Sequence, residues 1–285
     1  MIERFVLANG LQHHVITWGD PNAQKTVVMC HGFLDMGLGF FKLAPELAQA
    51  GYRVISLDFR GHGESEWIGR GGYYHFSDYV LDLHALLPQL VKSPFHLVGH
   101  SMGGTVCTLY AATHLEDIQT LSLLEGYGPP ADTGTVVQRM QGFLASVQAV
   151  RQGENRPVLV DLDAAIARLA RRNPTLDAES LRFLAEHSTE PHPRAAGLTW
   201  RFDPLHRTPS PVGFEAARFA QFTAAIDRPT LIVQGEHGLR TGDDDARIAS
   251  YPRATKYVLP GAAHMLHWTH ARETAQALLG FFAQA

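Results

Sequence analysis

The sequence predicts an α/β fold: a mostly parallel sheet flanked by helices, with a mostly helical segment inserted between two of its strands. Three observations carry that expectation. Short apolar, β-branched runs recur with helix-period segments between them, the pattern of buried parallel strands. The rhythm breaks over residues 127–228, where helix-like patterns replace core strands. The length, 285 residues, fits one large domain carrying an inserted subdomain.

Element by element, two apolar stretches around Phe5-Val6-Leu7 and His14-Val15-Ile16-Thr17 flank Asn9-Gly10, a strong hairpin signal. Residues 26–30 form a β-branched strand ending at His31-Gly32. Residues 40–50 have helical spacing and stop at Gly51, where a helix ends readily. Residues 52–57 read as a strand running into a turn-forming cluster, Asp58-Phe-Arg-Gly-His-Gly-Glu-Ser65. Residues 77–91 read as a helix with Ser77 as N-cap, followed by a strand at 95–98 and a helix after Ser101. Further strands are expected at 121–124, 230–233 and 256–259, and a closing helix at 271–283.

The interval 127–228 shows helix-like patterns at 134–150, 161–171, 177–187 and 212–225, with proline joints at Pro191-His-Pro193 and Pro209-Ser-Pro211. A structureless loop of that length is improbable, so it reads as a helical cap. The expected division is a core of 1–126 and 229–285 with a cap of 127–228.

Composition excludes several function classes. Hydrophobic residues make up 45% of the chain, enough for a sizeable core. The net charge is −4 and the basic residues are scattered, so no nucleic-acid footprint is present. Cys30 and Cys107 fall in apolar segments and read as free core thiols. The opening MIERFVLANG lacks a basic segment followed by an apolar one, and no apolar run approaches roughly 18 residues. The expectation is a soluble, cytoplasmic protein without membrane partners. Nothing signals an oligomeric state.

Residues 96–106, HLVGHSMGGTV, run a strand through Gly99-His100-Ser101-Met102-Gly103 into a helix. This is G-x-S-x-G in strand–turn–helix context, the nucleophile elbow. The tight turn exposes the serine hydroxyl at a helix N-terminus, where N–H groups favour a developing oxyanion. The same residues would also make a plain glycine-rich turn, but strand, helix and second glycine all stand where the elbow needs them.

With His31-Gly32-Phe33, the 58–65 cluster and Gly-Ala-Ala-His264, the chain resembles the α/β-hydrolase superfamily over nearly its whole length. The resemblance implies an eight-stranded, mostly parallel sheet with a lid after the sixth strand. It also implies that Ser101 is the nucleophile and His264 the base. In the commonest family pattern the acid follows the seventh strand, but here Gly238 stands there, in Gln234-Gly-Glu-His-Gly238. In a subset of the family the acid ends the sixth strand, where this chain has Glu125. Glu125 is the preferred acid. Asp243, Asp244 and Asp245 are the alternatives, Glu236 is an outsider, and a structural Glu125 at the cap entry is the plain reading. The oxyanion donors are expected to be the backbone N–H groups of Met102 and Phe33.

Other features take bland readings. Asp58, Arg60 and Ser65 read as charge pairing and turn formation. His264, His267 and His270 recur at three-residue spacing among sixteen histidines. A metal is disfavoured there because the third would rotate away around a helix and no carboxylate is interleaved. His267 and His270 then read as surface or rim residues. Phe33, Trp200 and Phe143 are pocket candidates, and Trp200-Arg201-Phe202-Asp203 suggests an Arg–Asp pair holding cap to core.

No phosphate loop or Gly-x-Gly-x-x-Gly follows a strand, so no cofactor is expected. The expected reaction is hydrolysis of a small to medium, partly apolar carboxylic ester, lactone or thioester through an acyl-enzyme. The alternatives are a carbon–carbon bond hydrolase of ring-fission products using the same serine and histidine, and a ligand-binding protein with an idle triad.

Overall fold

A computed structural model describes residues 1–92, 94–131, 134–153 and 156–285. Eight strands form one sheet: β1 (Ile2–Ala8), β2 (Leu11–Trp18), β3 (Thr26–Cys30), β4 (Arg53–Leu57), β5 (Phe95–His100), β6 (Ile118–Leu124), β9 (Thr230–His237) and β10 (Ala254–Ala263). Their order is β1-β2-β4-β3-β5-β6-β9-β10. The β1–β2 and β2–β4 pairings are antiparallel and the other five are parallel. The β1–β2 hairpin turns at Asn9 and Gly10 with φ of 47° and 76°, the two left-handed residues that an Asn-Gly turn provides.

Strand alternation splits the core in two. Val28, Cys30, Ile55, Leu57, Leu121 and Leu123 pack on one face, with helices α2 (Phe76–Leu90) and α3 (Met102–Thr113). Val27, Met29, Val54, Val98 and Leu124 pack on the other, with α1 (Leu43–Gln49) and α10 (Ala271–Phe282). Successive side chains of a strand point to opposite faces, so a parallel strand covered on both sides is apolar throughout. Cys30 and Cys107 are buried and unpaired, as expected.

Between β6 and β9 the chain forms α4 (Val136–Arg151), α5 (Leu162–Arg172), α6 (Ala178–Ser188), a two-stranded ribbon of β7 (Thr189–Pro191) and β8 (Leu198–Trp200), and α7 (Ala216–Ala224). After β9 come α8 (Asp244–Ala249) and, beyond β10, the short α9 (Leu266–Thr269).

Several local expectations are corrected. The N-cap expected at Ser77 lies two residues earlier, at His75, which forms a capping box with Asp78. The helix expected over 40–50 divides into a 3-10 turn, Gly37–Phe40, and α1. The β7–β8 ribbon was not foreseen, since three-residue strands have too little periodicity to read. Arg201 does not pair with Asp203. It pairs with Glu64, while Asp203 accepts from the Tyr74 hydroxyl at 2.8 Å and caps the following turn through the Leu205 N–H. Core and insertion are therefore joined, but by different partners.

Candidate active site

Ser101 sits between β5 and α3 with φ 50° and ψ −117°. A non-glycine residue there is strained by about 1–3 kcal/mol and persists only when its surroundings hold it. Its N–H donates to the Leu124 carbonyl at 3.0 Å, and its carbonyl accepts from the Gly104 N–H at 3.0 Å. The helix start is pressed against the end of β3: a Cβ on Gly103 would stand 2.2 Å from the Cys30 carbonyl oxygen. A Cβ on Gly32 would stand 3.2 Å from that of Ser101, so the 31–33 loop lies against the elbow. His31 fixes that loop. Its Nε2 accepts from the Phe59 N–H at 3.0 Å, so Nδ1 carries the proton and donates to the Gly32 carbonyl at 2.7 Å. Phe33 is 51% exposed beside the elbow. Met102 opens α3.

His264 follows β10 directly. Its Nε2 lies 3.1 Å from Ser101 Oγ, and its Nδ1 lies 3.3 Å from Glu125 Oε2. A carboxylate only accepts, so Nδ1 carries the proton and the Nε2 lone pair faces the serine hydroxyl. Glu125 follows β6 with φ 56°, and its side chain is 1% exposed. Burying a carboxylate is costly unless its oxygens find donors. Here Oε1 accepts from the Gly235 N–H at 2.7 Å and Oε2 from the Leu239 N–H at 2.8 Å, with Arg240 Nη1 at 3.6 Å from Oε1. A hydroxyl, an imidazole and a carboxylate in this order can take a proton from the hydroxyl as it attacks an electrophile.

A profile of the alpha/beta hydrolase fold matches residues 25–271. The chain belongs to the α/β-hydrolase family. It is 31% identical over 174 residues to a serine hydrolase-like protein of Danio rerio, a match covering 60% of this chain and 53% of that one. The chain thus spans about half the length of that relative. Its fold superposes on a hypothetical protein of Pseudomonas aeruginosa at TM-score 0.87 and 31% identity, covering 99% of both chains. It superposes on a thioesterase domain of the curacin biosynthetic pathway at TM-score 0.86 and 27% identity, covering 98% of this chain and 99% of that one.

In this chain the other acid candidates are engaged elsewhere. Asp243 pairs with Arg247 at 2.7 Å, and Asp245 with Lys256 at 3.0 Å. Asp244 accepts from the Tyr127 hydroxyl and from the Thr241 and Gly242 N–H groups. Glu236 is exposed and accepts from the Gly261 N–H. Gly238 makes room for Glu125: a Cβ there would stand 2.1 Å from Oε1. Asp58 accepts from the Gly37 and Glu64 N–H groups and from His14, and Arg60 is paired with Asp82, so the 58–65 cluster holds turns together.

His267 is a correction. It is fully buried, because α9 turns inward after His264 and carries Leu266, His267 and Trp268 into the core. Trp200 packs with Leu159, Ala165 and Ala185 of the insertion, and Phe143 meets Tyr73 edge-on at 4.8 Å. No helix among the described residues is long and apolar enough to cross a membrane. Sequence reading missed the donors around Glu125, which lie on β9 and beyond, far away in the chain. Glycine at 238 was the one local signal that something else fills that space.

Proposed function

We propose that this hydrolase cleaves a small to medium, partly apolar carboxylic ester, or a related lactone or thioester, through an acyl-enzyme on Ser101. The observation that carries the reading is the Ser101–His264–Glu125 relay, 3.1 Å and 3.3 Å, at the strained elbow. His264 Nε2 takes the hydroxyl proton as Ser101 Oγ bonds to the carbonyl carbon. Glu125 holds the ring in the needed tautomer and stabilises the imidazolium. The Met102 and Phe33 N–H groups receive the oxyanion, at the positive end of α3. The alkoxide or thiolate leaves with the proton from His264. Water, deprotonated by His264, then releases the acid and regenerates the serine.

Residues 127–228 act as the cap over the core of 1–126 and 229–285. Phe33 lines the pocket from the core side, and Trp200 and Phe143 contribute the faces not used in cap packing. The relatives' names, serine hydrolase-like and thioesterase, support acyl chemistry.

The test is a p-nitrophenyl ester panel of increasing acyl length on the parent and Ser101→Ala, with fluorophosphonate labelling. Hydrolysis and labelling that both vanish in Ser101→Ala are expected. An inactive parent that still labels at Ser101 points instead to the carbon–carbon hydrolase reading, checked with a coloured dienoate substrate. An inert serine sinks catalysis altogether.

A further inference from the structure

Behind the relay lies a buried cluster that the hydrolytic steps leave unused. His100 Nε2 is 3.0 Å from the backbone carbonyl oxygen of His264. A carbonyl only accepts, so His100 is protonated on Nε2 and donates. The His267 ring packs against His100 with centroids 4.2 Å apart, and its Nε2 lies 3.4 Å from Asp35 Oδ2. His100 is 1% exposed and His267 fully buried. Burial lowers both imidazole pKa values, which keeps both rings neutral near pH 7.

The three residues come from three different segments. Asp35 belongs to the loop that carries Phe33, His100 ends the strand that delivers Ser101, and His267 lies three residues past His264. We propose that His100 is a positioning residue for the base: its Nε2–H holds the His264 carbonyl, while the ring of His267, itself tied to Asp35, packs against His100. The inference rests on the reading of His264 as general base. His264 stands in a short turn with its side chain 25% exposed, so its backbone needs an anchor for the ring to stay in register with Ser101 Oγ. A displacement near 1 Å at such a group costs on the order of 100-fold in rate.

The same three residues offer ligand atoms within 4.8 Å of one another. A tetrahedral zinc with bonds near 2.0–2.1 Å needs ligand atoms about 3.3 Å apart, and one nitrogen of His100 is already committed to the His264 carbonyl. Among the described residues Nδ1 of His100 and of His267 have no hydrogen-bond partner, so the clamp rests on the His264 carbonyl bond and on ring packing, and zinc is the rival that the test decides.

The test compares His100→Met, which fills the space without a donor, with His100→Gln, whose amide reaches the same carbonyl. For His100→Met, kcat should fall about 10- to 100-fold at nearly unchanged KM, with a parallel fall in the rate of fluorophosphonate labelling. His100→Gln should recover most of the loss. Should His100→Met fail to fold, Asp35→Asn, which weakens the brace at one remove, should lower kcat about threefold without raising KM. Overturning results are a His100→Met enzyme with parental kcat, a His100→Gln enzyme as impaired as His100→Met with the same loss of Tm, and tightly bound zinc whose chelation abolishes turnover. A parent inert to both esters and probe defeats the hydrolytic reading and this role with it. An active parent with an unaffected His100→Met defeats this role alone.

Discussion

The ends of β6 and β9 lie side by side beneath the elbow and carry opposite solutions to one requirement. β6 ends in Glu125, a buried carboxylate on a left-handed backbone. β9 leads to Gly238, where the family resemblance would place an aspartate, and there is no room for even a Cβ beside the Glu125 oxygens. β9 and the turn after it supply two donors instead, the N–H groups of Gly235 and Leu239. In the proposed relay the imidazole needs a carboxylate at one point in space, within reach of Nδ1. Parallel neighbours stand only about 4.8 Å apart, so either strand can deliver it, and the extra methylene of glutamate covers the difference.

The largest effect should come from the β6 side. Glu125→Gln keeps the shape but offers an amide that can turn an N–H towards His264, favouring the wrong tautomer. Turnover should fall on the order of 10³- to 10⁴-fold, read as kcat on the best ester, with parental far-UV dichroism and a lowered Tm, since the amide nitrogen must face the Gly235 or Leu239 N–H. Wild-type turnover in Glu125→Gln would move the acid elsewhere.

The β9 side sharpens the comparison. Gly238→Asp alone puts a second carboxylate into space already taken, so both activity and Tm should drop. The double variant Glu125→Gly/Gly238→Asp clears the space first, and glycine suits the left-handed φ at 125. It should exceed Glu125→Gly in kcat by about tenfold or more, since a carboxylate again faces Nδ1. Equal rates for the two would show that the position, not merely the charge, is specified by β6.

How much of this was legible before the structure depends on how local each signal is. The Asn9-Gly10 turn, the buried strands and the strand–turn–helix around Ser101 are written in neighbouring residues, and the fold follows their order. For the acid the sequence favours Glu125 over Asp243, Asp244, Asp245 and Glu236 but does not decide it, because the choice depends on which of them lies next to His264 in space. The N-cap at His75 escaped notice because histidine is a poor signal for a role usually taken by Ser, Thr, Asp or Asn. The inward turn of α9 has four residues, too few for a periodic pattern, so His267 read as a rim residue although it is core. The Arg201–Glu64 pair joins segments more than a hundred residues apart, and adjacent Asp203 was the misleading local partner.

The smallest effect is expected just beyond Gly238, in the acidic run Asp243-Asp244-Asp245, and it is the finest discriminator between the two strand ends. Each of these carboxylates has its own partner away from His264: Arg247, the Tyr127 hydroxyl and Lys256. Changing each singly to asparagine should leave kcat within about twofold of the parent, since none faces the imidazole. Asp244→Asn should show the largest loss of Tm, because its carboxylate joins the β9 turn to Tyr127, which also receives the Gln234 side-chain amide. Exposed Asp245 should be the most tolerant. A loss of kcat beyond 100-fold in any one of them, at parental Tm, would transfer the acid from β6 to the turn after β9. The emptiness at Gly238 would then serve packing alone.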